Sequence, residues 1–341
     1  MKNWYGWIKS KSSGVLRRSR SGVLARYGKI IIHCGLHKTG TSYLQTVLHD
    51  NAAVLEEHGI EYPTALRPNL GGNRGNHSLI IRKYVESGNL ASVLRDFTNI
   101  GNRCPALLLS GERFSRKAHL YEGFFKDLQE AAPGADVRLI FYLRRPDHLY
   151  ESVYAQTVKK LVSGNISGTL FRFDFHERIM PFVEAVGKEN VTIRPYNRML
   201  WPGGDLGLDF CTTLGRPEVW KDIVPVSEKV VNASLNRNQV FLLSRIEKPV
   251  VKKRLLQYFA ENPDLPDDGG KFFLSPEERR KINARHAEAN QRLADFFDLG
   301  DINEFLGIEE DEDDRGWRPY RPDWEMLFGY LARFTDHERR S

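Results

Sequence analysis

Apolar runs of strand length alternate with helix-period segments over the first two thirds of the chain. Lys29–Cys34 (KIIIHC) is a short β-branched run that ends at Gly35, the pattern of a central parallel strand buried on both faces. Helical spacing follows over 41–57, with Leu44, Val47, Leu48 and Leu55 on one stripe and Gly59 placed as the C-cap. Ile60–Tyr62, before Pro63, reads as a second short strand, and 67–76 (RPNLGGNRGN) has the composition of a loop. Helices are predicted from Ser78 to about Glu86 and over Leu90–Phe97. Strands are predicted over Ala106–Ser110, Val137–Leu143 and Val191–Arg194, with one helix from about Asp147 to Lys160 and another ending near Gly187. That alternation predicts an α/β fold, a parallel sheet flanked by helices.

Strand signals stop near residue 215. Val240–Phe259 and Pro276–Phe297 read as helices, the second with Ser275 as N-cap and Pro276 at N1. Glu309–Asp314 is an acidic run expected to be solvated. Trp317–Ser341 carries Trp317, Tyr320, Trp324, Leu327, Phe328, Tyr330 and Leu331, too aromatic for a free tail, and is expected to dock on the body or on a second subunit. The expected divisions are a flexible arm over 1–28 and a main domain over 29–305. That domain has an α/β core to 215 and a helical part beyond it, and an acidic linker with the aromatic segment follows over 306–341.

Composition narrows the class. With 341 residues, 41% hydrophobic and 28% charged, the chain is an ordinary globular protein. No apolar run approaches the roughly 20 residues of a membrane helix, so a soluble protein is expected. The net charge of +6 is a property of the N-terminus: residues 1–29 hold eight Lys/Arg and no acid, leaving 42 basic against 44 acidic residues elsewhere. The charge therefore gives no ground for a nucleic-acid-binding fold. The arm lacks the continuous apolar segment of a secretory signal. Its Arg/Ser content resembles an organellar transit peptide, although a solvated arm is the simpler reading. Trp4, Tyr5, Trp7 and Ile8 among lysines suit weak contact with an anionic membrane surface. Cys34, Cys104 and Cys211 are too scattered for a disulfide framework or a zinc cluster, which fits a reducing, cytoplasmic compartment.

The chemistry concentrates at Gly35-Leu-His-Lys-Thr-Gly-Thr-Ser42, between strand and helix. Glycines five apart at such a junction let backbone N–H groups turn toward an anion, and the helix start adds its partial positive charge. Thr39, Thr41 and Ser42 supply hydroxyls. In the nucleotide-hydrolase version of this loop a lysine follows the second glycine. Here that position is Thr41 and the lysine is Lys38, so a magnesium–nucleoside triphosphate is the less natural ligand. A second cationic feature ends the strongest strand, where Arg144 could grip a phosphate bidentately and Ser152, eight residues on, could add a hydroxyl. Arg145 should face elsewhere, because strand side chains alternate. His33, mid-strand, is expected as a core histidine.

These two motifs together resemble the sulfotransferases that use 3′-phosphoadenosine 5′-phosphosulfate (PAPS). The match of Lys38, Gly40, Thr41 and Ser42 is to the family's 5′-phosphosulfate loop, and that of Arg144 and Ser152 to its 3′-phosphate motif. The resemblance runs from about Lys29 to Phe297. It implies a P-loop-like fold of bacterial or carbohydrate-type members, PAPS as donor, 3′-phosphoadenosine 5′-phosphate (PAP) as product, and no required metal. It implies donor contacts from Gly35, His37, Lys38, Thr39, Gly40, Thr41, Ser42, Arg144 and Ser152. Tyr196 is implied at the adenine pocket, with Lys38 neutralising the bridging oxygen as the S–O bond breaks. Asn232–Leu235 and the helix start at Leu274–Arg279 are similar to late segments of bacterial-type members. The arginine–lysine–glycine loop of steroid- and phenol-type members has no counterpart here.

The family's base is a His or a Glu. His77, which ends the Gly/Asn loop, is the first candidate because its pKa class suits proton abstraction near neutrality. Glu112 is the second, just past a strand's carboxyl end, where α/β sheets place ligands. The acceptor is a hydroxyl or amine; the basic and aromatic residues from Lys159 and Lys160 through Phe171, Arg172, Phe173 and Phe175 suit a carbohydrate or glycolipid. Two rival readings are an ATP- and magnesium-dependent small-molecule kinase and a non-catalytic nucleotide-binding module.

Overall fold

The computed structural model describes residues 24–36, 38–64, 75–97, 103–115, 122–159, 173–224, 235–262, 265–266, 269–270, 272–308 and 317–340. Expectations for the arm up to residue 23, for His37, for most of the Gly/Asn loop and for the acceptor-side segment 160–172 lie outside these residues. So do those for Asn232–Ser234 and the acidic run.

In chain order the elements are β1 (Lys29–Cys34), α1 (Thr41–Asp50), α2 (Ala52–Glu57), β2 (Ile60–Glu61), α3 (Ser78–Ser87), α4 (Leu90–Phe97) and β3 (Ala106–Gly111). A 3₁₀ turn over Glu112–Ser115 leads to α5 (Glu122–Ala131), β4 (Asp136–Leu143), α6 (Pro146–Lys159), α7 (Phe175–Val186) and β5 (Val191–Pro195). Then come α8 (Leu206–Thr213), α9 (Val219–Asp222), α10 (Arg237–Arg245), α11 (Pro249–Glu261), α12 (Pro276–Phe297), α13 (Ile302–Leu306) and α14 (Trp324–Arg340). The sheet order is β2-β3-β1-β4-β5, with every pair parallel. This is the expected α/β class, a parallel sheet flanked by helices.

Strand alternation sorts the sheet's side chains into two layers. Ile30, Ile32, Leu107, Leu109, Leu139 and Phe141 pack against α3, α4, α5 and α7, together with the end of α12. Ile31, Leu108, Ile140 and Tyr142 pack against α1, α2 and α8. Both faces are covered at the centre of the sheet, so β1, β3 and the second half of β4 need no polar side and read as apolar runs, whereas edge strand β5 alternates. A separate core of Val158, Val240, Leu243, Leu255, Phe259 and Tyr330 joins the distal end of α6 to α10, α11 and α14. The aromatic C-terminal segment thus docks on the body. Leu327 and Tyr330 are buried, and Trp317 Nε1 donates to the Phe272 carbonyl at 3.2 Å.

Three boundaries differ from the sequence reading. The helix expected over 41–57 breaks at Asn51, whose Nδ2 donates to the carbonyls of Val47 (2.9 Å) and Val224 (3.0 Å) while its Oδ1 accepts from the Val224 N–H. The helix expected over 240–259 is two helices, because Pro249 starts a new one at N1. Before Lys29, Leu24 and Tyr27 are already buried, and Tyr27 OH donates to Glu61 on edge strand β2 at 2.7 Å.

A fully buried carboxylate joins α12 to the strand–helix junction after β4. Asp147 takes both Nε and Nη2 of Arg145 (2.8 and 2.9 Å) and Nε of Arg279 on α12 (2.9 Å). Its own N–H donates to Asn283 Oδ1 at 3.2 Å. Burial opposes this charge, yet Arg145 and Arg279 hold the carboxyl below the ordinary carboxylate range. Removing it would strand two buried guanidinium groups. Asp147→Ala is expected to lower the unfolding free energy by about 3–5 kcal/mol, read from urea midpoints; an unchanged midpoint would mean that the junction does not rely on this pairing.

Candidate functional site

The loops that follow β1, β3 and β4 leave the sheet at one edge, and a cavity of about 920 Å³ opens there. β1 and β4 are neighbours whose outgoing connections run in opposite directions, to β2 on one side and β5 on the other. Open α/β sheets bind ligands at such a crevice.

The loop after β1 is shaped from within. Thr39 Oγ1 donates to the Leu36 carbonyl at 2.9 Å and lies 3.3 Å from Thr41 Oγ1, so both buried hydroxyls staple the turn. Gly35 packs so close to Thr41 that a Cβ there would sit 2.5 Å from Thr41 Cγ2. Gly40 has φ +69°, and a Cβ on it would meet Leu206 Cδ2 at 2.4 Å. As the N-cap of α1, Gly40 offers no side chain to the helix's first N–H groups. Those groups belong to Thr41, Ser42 and Tyr43, which line the cavity beside Lys38. An uncapped helix start with a lysine next to it is an anion seat.

Arg144 faces the same cavity, while Arg145 turns into the Asp147 pairing, as the alternation of strand side chains required. Burial lowers the Arg144 pKa from its ordinary value, and the guanidinium carbon lies 5.3 Å from the centre of the Tyr196 ring. Tyr196 meets Trp201 edge to face at 5.1 Å, and both rings line the cavity as an aromatic shelf. Along α6 the lining residues His148, Glu151, Ser152, Ala155 and Lys159 share one face at helical spacing. The cavity therefore gathers Lys38, Thr39, Gly40, Thr41, Ser42, Glu112, Arg144, Ser152 and Tyr196 of the residues singled out from sequence. His37 lies outside the described residues. Gly35 sits just behind the lining.

His77 is the residue that does not join them. It is fully buried and does not line the cavity. Its Nδ1 accepts the Ser110 N–H at 3.0 Å, and its Nε2 lies 2.9 Å from the Pro63 carbonyl, which makes Nε2 the protonated nitrogen of a neutral ring. The expectation that His77 acts as the base is therefore corrected: both ring nitrogens are held by backbone inside the fold. Its backbone N–H also donates to the Ser110 carbonyl at 2.7 Å, and Ser78 Oγ accepts the Arg113 N–H at 3.1 Å. Residues 77 and 78 thus anchor the chain on either side of Glu112, the candidate that does line the cavity. His33, as expected, is core: its Nδ1 pairs with Ser110 Oγ at 2.9 Å, and burial lowers its pKa to about 4.

Several lining residues went unnoticed in the sequence. Arg237, buried, donates to the carbonyls of Phe272 (3.1 Å) and Arg318 (2.9 Å), and Gly269, Gly270 and Phe272 complete that wall. His148 stacks on Phe272 with ring centres 4.9 Å apart. Gly269–Gly270 just before two phenylalanines was the available signal. Glu151 also lines the cavity: burial pushes its carboxyl up to about 7, and one oxygen accepts the Leu274 N–H at 2.7 Å.

No family model matches the chain. Over 183 residues, 51% of the chain, it is 27% identical to an uncharacterized protein of Archaeoglobus fulgidus, and the match spans about half (49%) of that relative's length. Among solved structures it is similar to a sulfotransferase from Alicyclobacillus acidocaldarius, at 13% identity and a TM-score of 0.44, covering 79% of this chain and 95% of the other. Among the described residues no helix is long and apolar enough to cross a membrane.

Glu151 carries a pH signature. With its folded pKa near 7 above its ordinary 4.5, the folded state holds this proton more tightly than the unfolded chain does. Its contribution is therefore fully present below the unfolded value and is lost as pH rises through about 7. Glu151→Gln, neutral throughout, should gain on the wild type by about 1–3 kcal/mol between roughly pH 5 and pH 8. Paired thermal melts across that range measure it; a constant offset would refute the buried-carboxyl account.

Proposed function

We propose that the protein is a sulfotransferase that moves a sulfuryl group from PAPS to a hydroxyl or amine. The observation that carries this reading is the convergence of two cationic grips on one cavity. One is the uncapped start of α1 with Lys38; the other is Arg144 with Ser152, reached from the neighbouring strand. A donor with a phosphosulfate at its 5′ end and a phosphate on its 3′ hydroxyl needs two anion seats set apart by a ribose. The aromatic shelf of Tyr196 and Trp201 suits the adenine. The position after Gly40 is Thr41 rather than a lysine, which sets the loop apart from the magnesium-triphosphate version.

In the proposed reaction the acceptor hydroxyl attacks sulfur as its proton passes to a base. The new S–O bond forms while the bond from sulfur to the bridging oxygen breaks, and PAP leaves. Lys38 meets the charge that develops on that oxygen, an interaction stronger in the transition state than before it. Glu112 is the base in this reading, since it opens into the cavity where His77 does not. The acceptor class we favour is a carbohydrate or glycolipid, on the basic and aromatic composition that follows Lys159.

Thermal unfolding with added nucleotide tests the donor. PAP at about 100 times its dissociation constant should add about 2.7 kcal/mol of stability, with EDTA making no difference. Stabilisation by magnesium–ATP alone would turn the reading to a kinase. Lys38→Ala should abolish transfer from labelled PAPS. Glu112→Gln should lower turnover by about 10²–10⁴-fold while PAP still binds, which is the range for loss of a general base; full turnover by that variant would remove Glu112 from the mechanism.

A further inference from the structure

The two anion-facing loops are joined to each other through Arg144. Its Nη1 donates to the backbone carbonyl of Lys38 at 2.8 Å. Lys38 has φ +64°, a left-handed conformation that a side chain adopts only under constraint. The guanidinium that accepts nothing and donates five N–H groups is suited to hold that carbonyl and still face a ligand. A second contact reaches the same loop by another route. Arg144 lies over the Tyr196 ring, and that ring packs on Gly40 so closely that a Cβ there would sit 3.0 Å from Tyr196 Cε2. Tyr196 is itself pinned to the end of β4, its N–H donating to the Leu143 carbonyl at 2.6 Å. Arg144 thus constrains the loop after β1 directly at Lys38 and, through the Tyr196 ring beneath it, at Gly40.

We propose that Arg144 is a positioning residue for the 38–42 loop as well as a phosphate ligand. It keeps the left-handed turn at Lys38 and so sets up the 5′ anion seat from the 3′ side of the cavity. The proposal rests on the PAPS reading for the identity of the ligands, but the brace itself is a property of the free protein. A lysine in its place would keep the charge and lose the fork that spans a carbonyl and a phosphate.

Adenosine 5′-phosphosulfate, which has no 3′-phosphate, separates the two roles. Titration calorimetry on wild type, Arg144→Lys and Ser152→Ala would compare it with PAP. Arg144→Lys should weaken both ligands, adenosine 5′-phosphosulfate by about tenfold, the scale of one lost charge-assisted hydrogen bond. Ser152→Ala should weaken PAP alone. Unchanged affinity of Arg144→Lys for adenosine 5′-phosphosulfate, with PAP weakened, overturns the brace and leaves a simple phosphate ligand. Hydrogen exchange on the free proteins gives the second readout: the amides of 38–42 should exchange faster in Arg144→Lys while those of β1 and β4 keep their protection. A rise at 38–42 no larger than in the two strands also overturns it. Wild type that binds neither nucleotide would instead defeat the PAPS reading, and the exchange comparison still decides the brace.

Discussion

Parallel pairing of β1 with β4 is the constraint on which the site depends. Parallel neighbours end at the same edge, so the loop carrying Lys38 and the turn carrying Arg144 must emerge side by side. The two are more than a hundred residues apart in the chain, and only the register from Lys29↔Asp136 to His33↔Ile140 brings them together. Helices on both faces then bury the strands and leave the carboxyl edge as the place where polar chemistry can meet solvent.

That edge is rich in like charges, and the fold balances them from behind rather than from within. Lys38, Arg144, Lys159, Arg198 and Arg237 line the cavity, against Glu112 and a Glu151 whose carboxyl burial pushes up to about 7. Neutralising these cations with nearby carboxylates would close the seat to an anion. The carboxylate at the junction, Asp147, is instead committed to Arg145 and Arg279 and lies buried. The pairing holds α12 against the start of α6 and leaves Arg144 to the cavity.

Beneath the loops lies a polar layer in the core. The Ser110 hydroxyl pairs with His33 Nδ1 and accepts from Gln45 Nε2, its N–H donates to His77 Nδ1, and its carbonyl accepts the His77 N–H. Two elements distant in sequence, the end of β3 and the entry to α3, are fastened there, and Glu112 follows directly after β3. By meeting these buried backbone groups His77 holds the two segments together, because an unmet N–H at that depth costs about 1–3 kcal/mol.

Most of the architecture was legible in the sequence because it is local. Strand runs, helix stripes, the Ser275–Pro276 cap and the glycine spacing of the 35–42 loop each follow from neighbouring residues. The paired motifs around Lys38 and Arg144 were legible for the same reason. The break at Asn51 was not, since it depends on Val224. Nor was the fate of His77, which was read as a candidate base at the end of the Gly/Asn loop and is a buried brace, because its partners Pro63 and Ser110 come from other segments. Arg237 and the Gly269–Phe272 wall went unread because the only local mark was the Gly269–Gly270 pair, and what places Arg237 there is its bonds to the carbonyls of Phe272 and Arg318. Sequence alone determined which segments become strands, helices and glycine-rich connecting loops, because those choices rest on backbone preference and hydrophobic period. Tertiary structure decided which polar side chains face the cavity and which are spent inside the fold, because that depends on hydrogen-bond partners supplied by distant parts of the chain.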